Sequence, residues 1–374
     1  MHRLTEKSKT ILTRDTIRMF ILFILICIER YTVAQEIYLE NTSKSLYQME
    51  ILEPAGMNID TNLQAILLIP GQPGNDSGIE VLLNGKNEKN ERQMLPAFFS
   101  QTCQRAAGII SEGPRFKTLI PQDDSTFFPP GIQTWEDIES FCRQANTDLL
   151  AVLEVLICPI TIQSQLSATG IYVDFSDDPG YTPSPRMEGS PVILASCKTE
   201  AVFTWHLYFP GKRIMEVKKT QSVDQINNLH FKSQPEISDY LSEEIPDILD
   251  RISTDAAQQF AQLVSPTWAN TIRTYFDKGC REMRLASRFL QNGETDKAAA
   301  LWEKLVTSNN KGISKHARFN LLLICELDGR YSEGLQLAEK LSQEFSMPEA
   351  VSYSEILKIR IQEQELLEQQ LSKE

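Results

Sequence analysis

The sequence predicts a mixed α/β domain over residues 35–263 joined to an all-helical repeat domain over residues 264–374. Three observations predict it. Apolar runs such as Gln64–Ile69 and Asp148–Gln163 have the content and boundaries of buried strands. Helical periodicity dominates from Glu236 onward. The stretch Leu285–Phe345 writes one helix–turn–helix pattern twice.

Residues 1–34 form a separate segment. Arg14 and Arg18 precede the apolar run Met19–Ile28, and the small residues Thr32 and Ala34 follow it. That order fits a secretory signal cleaved after Ala34. The run is well short of the roughly 20 residues a spanning helix needs. A buried helix and an uncleaved anchor are the alternatives. Cys27 follows the bulky Ile26 inside the apolar run, so no lipid anchor is expected. The expected location is the periplasm or the outer-membrane periphery, with no integral span once the signal is removed.

The 374-residue chain carries a formal charge of −13. Residues 1–34 hold six Lys/Arg against three acids, so the remainder carries about −16. Such a surface repels phosphate backbones, and no nucleic-acid partner is expected. Six of the seven cysteines lie beyond residue 34, none closer than 16 residues to the next, so there is no C-x-x-C motif. Cys158, Cys197 and Cys325 sit in apolar runs and read as buried thiols.

In chain order, Gln64–Ile69 reads as a strand closed by Pro70-Gly71. Gly71–Arg92, rich in Gly, Asn and charge, reads as a long surface loop or a mobile flap. Gln93–Ile110 reads as a helix stopped by Pro114, and Phe116–Ile120 as a second strand. Thr134 is an N-cap for a helix with acids in its first turns. Asp148–Gln163 is apolar on both faces through its inner part, which predicts a central strand. A short strand is expected over Gly170–Phe175 and a loop over Asp177–Ser190. Val192–Phe209 and Arg213–Thr220 form an antiparallel pair turning at Pro210-Gly211. Glu236–Leu263 is one helix or two, divided at Pro246. Ser265-Pro266 opens a further helix with Trp268, Ile272, Tyr275 and Phe276 at helical spacing. After the hairpins, Pro348 precedes a last helix to Lys373.

Within the hairpins, turns fall at Gly293 and Gly329, and the small residues Ala298 and Gly334 lie 36 residues apart. That spacing is close to the period of about 34 residues in tetratricopeptide repeats. Leu285, Trp302 and Leu305, and then Leu321, Leu335 and Leu341, are expected to fill the space between hairpins. Arg284, Arg288, Lys315, Arg318 and Asn320 are the candidate partner-binding residues, on the first helix of each hairpin. They suit an acidic peptide. A plain solvated helix face is the alternative.

Chemistry leaves little trace. Phosphate-loop, dinucleotide and nucleophile-elbow motifs are absent, as is H-E-x-x-H. His206 reads as a satisfied sheet residue, His230 as part of a polar turn, and Ser77 as a loop residue. The Asp123-Asp124 pair and the trio Asp174, Asp177 and Asp178 lack calcium-loop spacing. Phe127–Pro130 is a candidate contact patch or a piece of core. No cofactor, no metal and no catalytic residue are expected.

Four segments carry a family resemblance: Glu50–Ala55, Ala145–Glu154, Trp205–Lys212 and Ser265–Trp268, followed by repeats from Arg284. The third resembles a W-x-L-Y-x-P-x-x-G strand and turn. Together they resemble an uncharacterised exported family of Bacteroidota that joins an α/β domain to C-terminal tetratricopeptide repeats. Many members look like lipoproteins, and this chain departs there. The α/β order is also similar to exported domains of the curli-secretion and penicillin-binding-protein-activator type. The resemblance implies a non-catalytic envelope protein that binds a protein or peptide partner. The alternative is a ligand- or glycan-binding or hydrolytic protein, with a site between the Gly71–Arg92 and Asp177–Ser190 loops.

Overall fold

A computed structural model describes residues 44–72, 77–90, 94–120, 134–167, 192–209, 211 and 213–372. The signal segment, Asp123-Asp124, Phe127–Pro130, the Gly170–Phe175 strand and the Asp177–Ser190 loop lie outside them. The architecture is a mixed sheet with helices followed by an all-helical region. Two compact units result. One comprises Ile51–Ala269 with Glu363–Glu374, and the other the residues up to Glu50 with Asn270–Gln362.

The first unit is built on seven strands: β2 (Ala65–Pro70), β3 (Gly78–Leu83), β4 (Lys86–Asn90), β5 (Lys117–Leu119), β6 (Leu149–Ser167), β7 (Val192–Phe209) and β8 (Arg213–Phe231). β6 is central, as its apolar sequence predicts. β2 and β3 run parallel to its two halves along one edge, and β7 runs antiparallel along the other. β5 lies parallel outside β2, and β8 antiparallel outside β7. Side chains alternate across the sheet. Ile66, Leu68, Leu149, Ala151 and Leu153 join a core that includes α1 (Leu95–Glu112) and α3 (Gln234–Val264). Leu67, Ile69, Leu150 and Val152 face α2 (Trp135–Ala145). Thr134 caps α2 by accepting from Asp137 N. Pro246 stands inside a single continuous α3.

Two expectations for this unit change. Gly71–Arg92 is not one long loop, because β3 and β4 form a hairpin within it. Its turn is Asn84-Gly85, with φ of 51° and 80°. Asn-Gly is a strong signal for the two-residue turn that needs two positive φ angles, and it outweighs the polarity of the flanking residues. β8 also continues past Thr220 to Phe231, so His230 lies in a strand rather than a turn.

In the second unit, β1 (Lys44–Glu53) pairs with β9 (Thr267–Phe276). The helix expected over Pro266–Gly279 is this strand. Trp268, Asn270 and Ile272 are exposed, while Arg273 is drawn inward. The period is two, not 3.6. Thr267, Thr271, Ile272, Thr274, Tyr275 and Phe276 supply the β-branched and aromatic content that favours a strand.

Helices α4 (Arg281–Gln291), α5 (Thr295–Val306), α6 (Lys311–Leu327), α7 (Tyr331–Phe345) and α8 (Pro348–Leu371) follow. The two hairpin turns repeat bond for bond. Gly293 N and Glu294 N donate to Leu290 O and Phe289 O, and Gly329 N and Arg330 N donate to Glu326 O and Cys325 O. Both glycines have positive φ, 75° and 69°, as this helix stop requires. Ala298 and Trp302 are fully buried, and the matching Gly334 and Ala338 are buried too. A Cβ on Gly334 would meet Cys325 Cβ at 3.0 Å, so the glycine permits the close crossing. Leu285 departs from expectation: it is 39% exposed rather than buried between hairpins.

Candidate functional sites

The helical unit contains most of the sequence candidates. Asn320 is fully buried and faces the chain's own strand. Its amide donates to Phe276 O (2.6 Å) and accepts from Phe276 N (2.7 Å). This corrects its reading as a partner-binding residue, since both ends of its amide hold β9. Nearby, Arg273 makes a two-point bond to Glu326, Nε to Oε2 at 2.8 Å and Nη2 to Oε1 at 2.7 Å. Tyr353 OH donates to Glu326 Oε2 at 2.6 Å. Burial and the neighbouring Glu326 carboxylate push the Tyr353 phenol well above its ordinary range. Tyr275 OH lies 2.8 Å from Ser287 Oγ, and Phe276 stacks on His316 at 3.8 Å.

These partners come from α4, α6 and α8. The first helices of the hairpins therefore spend their inner faces on β9 rather than on an open groove. Asn320→Ala leaves a buried N–H and a buried C=O without partners, at about 1–3 kcal/mol of lost stability. Circular-dichroism melting should show that loss. Asn320→Asp should lose stability too, because a carboxylate cannot donate to Phe276 O.

The other candidates lie outward. Arg284 and Arg288 are exposed, and Lys315 is half-buried. Arg318 pairs with Glu344 at 2.7 Å and lies over the Phe345 ring. Arg281 is a further exposed cation. With Arg284 and Arg288 it occupies positions i, i+3 and i+7 of α4, one face of the helix. Leu285 lies beside them. Among the described residues, none of these three arginines makes an ion pair.

The sheet unit holds a second cluster, centred on Glu154. Leu153 pairs with Trp205 and Val155 with Thr204, so Glu154 is the extra residue of a β-bulge. Bulges re-aim side chains and recur beside functional sites. Here the bulge brings Glu154 to His206 and Tyr208. Tyr208 OH donates to Oε1 at 3.0 Å, and His206 Nδ1 lies 3.1 Å from Oε2. Gly71 is required opposite: a Cβ there would approach Leu153 O at 2.7 Å. Ser77, buried, accepts from Leu156 N at 3.3 Å and belongs to the same joint. Neither Glu154 nor its bulge follows from periodicity. The bulge depends on the cross-strand register.

Burial alone would raise the Glu154 carboxyl, but the adjacent His206 and the bond from Tyr208 outweigh it and hold it below its ordinary value of 4.5. It is an ionised acceptor, unsuited to donate a proton. The linkage follows from the sign. A depressed folded value stabilises the protein above 4.5, and the benefit disappears as pH falls through the lower folded value. The urea midpoints of wild type and Glu154→Gln should therefore differ by a constant amount above pH 4.5 and converge below it. Parallel curves down through the acid limb would contradict this.

Beside the cluster, a cavity of about 350 Å³ is lined by residues including Trp135, Cys142, Arg143, Asp148, Tyr208 and Phe209. Among the described residues, no three His, Cys, Asp or Glu side chains converge in a metal-holding group, and no helix is long and apolar enough to cross a membrane. Burial pushes the Cys158 thiol up to about 12 and Cys103 higher still.

No curated protein matches the chain. A crystal structure described as a neuraminyllactose-binding hemagglutinin homolog from Helicobacter pylori aligns with 56% of this chain and 87% of that one, at 10% identity and a TM-score of 0.24. A likeness that thin says nothing about fold or ligand here. Residues 284–359, the hairpin region, match the domain of unknown function DUF6340. Residues 71–276, more than half of the chain, match the domain of unknown function DUF8603, and the chain belongs to that family.

Proposed function

We propose that this is a non-catalytic, exported cell-envelope protein that binds an acidic segment of a protein partner through its tetratricopeptide-like hairpins. The carrying observation is the exposed face of α4, where Arg281, Arg284 and Arg288 flank the exposed Leu285. Three arginines without ion-pair partners among the described residues stand out in a chain of net charge −13. Cations beside an apolar side chain suit a peptide that alternates acidic and apolar residues. The inner faces of the first hairpin helices hold β9, which supports a reading in which the partner uses this outer face. Export would follow from the leader over residues 1–34.

Fluorescence anisotropy with a short labelled peptide of alternating Glu and Leu tests the proposal on the full chain. Binding should weaken as salt rises. Arg284→Glu with Arg288→Glu should weaken it by about tenfold or more, equivalent to about 1.4 kcal/mol. A reversed-charge protein that binds as tightly as wild type would refute the proposal.

A further inference from the structure

We propose a second, separate site, where the parallel strands β2 and β5 begin, that binds a small oxyanion: a phosphate or carboxylate group. A cavity of about 580 Å³ opens there, lined by residues including Thr61, Gln64, Arg115, Lys117, Asn146 and Asp148. Its volume falls within the usual range for small-molecule sites, about 300–1,000 Å³.

The argument rests on which charges are already engaged. Asp148 Oδ2 accepts from Gln64 N and Ala65 N, each at 2.9 Å, so this carboxylate fastens the start of β2. Asp60 Oδ1 accepts from Asn62 N at 3.0 Å. Arg115 lies over the Phe116 ring, 4.5 Å from its centroid, and Nη2 donates to Asp60 O at 2.6 Å. The guanidinium is half-buried, and its charged bond is to a neutral carbonyl. Among the described residues, neither Arg115 nor Lys117 makes an ion pair. Elsewhere in the same unit, the half-buried Arg105 does find a carboxylate, Asp250, and even the exposed Arg251 pairs with Asp224 at 2.7 Å.

An oxyanion in the cavity would satisfy what the fold leaves open. A guanidinium presents a planar fork that matches carboxylate and phosphate oxygens, and an ammonium adds a mobile point charge. The Thr61 hydroxyl and the side-chain amides of Gln64 and Asn146 supply neutral donors on the cavity lining. Burial lowers the affinity of Arg115 for its own proton, with Asp60 opposing. An arriving anion would relieve that cost.

Calorimetric titration of the full chain with inorganic phosphate and with acetate, at ionic strength held constant with chloride, tests the site. Saturable binding of one or both anions is expected, and comparison of the two identifies the favoured group. Lys117 is exposed, so Lys117→Gln should fold normally and raise the dissociation constant by about tenfold, and Arg115→Gln by at least as much. Lys198→Gln, on β7, should leave binding unchanged. Absence of saturable heat with either anion would overturn the proposal. So would a Lys117→Gln protein that binds as wild type does.

Discussion

Glu326→Ala is expected to destabilise the helical unit by about 3–5 kcal/mol. Glu326 is 3% exposed, and among the described residues its carboxylate is the one ionic partner of the Arg273 guanidinium, at 2.7–2.8 Å. Removing it leaves a guanidinium in a site with little access to water, and Tyr353 OH loses its acceptor. Breaking one member of a buried pair costs far more than the pair contributes, because the surviving charge remains desolvated. The double replacement Arg273→Met with Glu326→Leu should therefore recover much of the loss. The sum of the single effects should exceed the effect of the pair. Chemical denaturation of the four proteins, followed by helical circular dichroism, measures this directly. Additive losses would show that the two residues act independently.

Trp205→Ala is expected to cost about 3–5 kcal/mol in the sheet unit. Trp205 is fully buried on β7 and stacks on Phe260 of α3, with centroids 3.9 Å apart. Its removal opens a cavity at the center of the sheet–helix core. Trp205→Phe separates packing from polarity. The indole Nε1 has no hydrogen-bond partner in its buried position among the described residues. Phenylalanine removes that unsatisfied donor while leaving a smaller void, so its cost should stay below about 1.5 kcal/mol. A phenylalanine variant as unstable as the alanine variant would mean that the indole donor has a partner in solution.

Local signals in the sequence were sufficient where one residue type meets one backbone need. Gly293 and Gly329 stop their helices at positive φ, and Ala298 and Gly334 mark close crossings, so the hairpin repeat is legible from spacing alone. The continuous apolar content of Leu149–Leu153 likewise places β6 at the sheet centre. β9 was ambiguous because Trp268, Ile272 and Tyr275 satisfy a helical spacing while their neighbours favour a strand. Pairing with β1, more than 200 residues earlier, settles the matter, and no local window contains it. The same holds for Asn320. Its amide looks like any polar group on a helix until β9 lies beside it. Glu154 owes its position to a register shift, and the Arg115–Lys117 cavity to the meeting of β2, β5 and the end of α2. Arg281 was within reach of the sequence, since it lies three residues before Arg284 on the same helix face.

The central claim is that the inner face of the hairpins is held by β9 and that a partner docks on the outer face of α4. Hydrogen–deuterium exchange of the full chain, with and without the acidic peptide, tests it most directly. The account predicts slower exchange within Arg281–Gln291 and unchanged exchange across Thr271–Phe276. Faster exchange in Thr271–Phe276 on peptide addition would contradict it, because the partner would then be displacing the strand and taking the inner face.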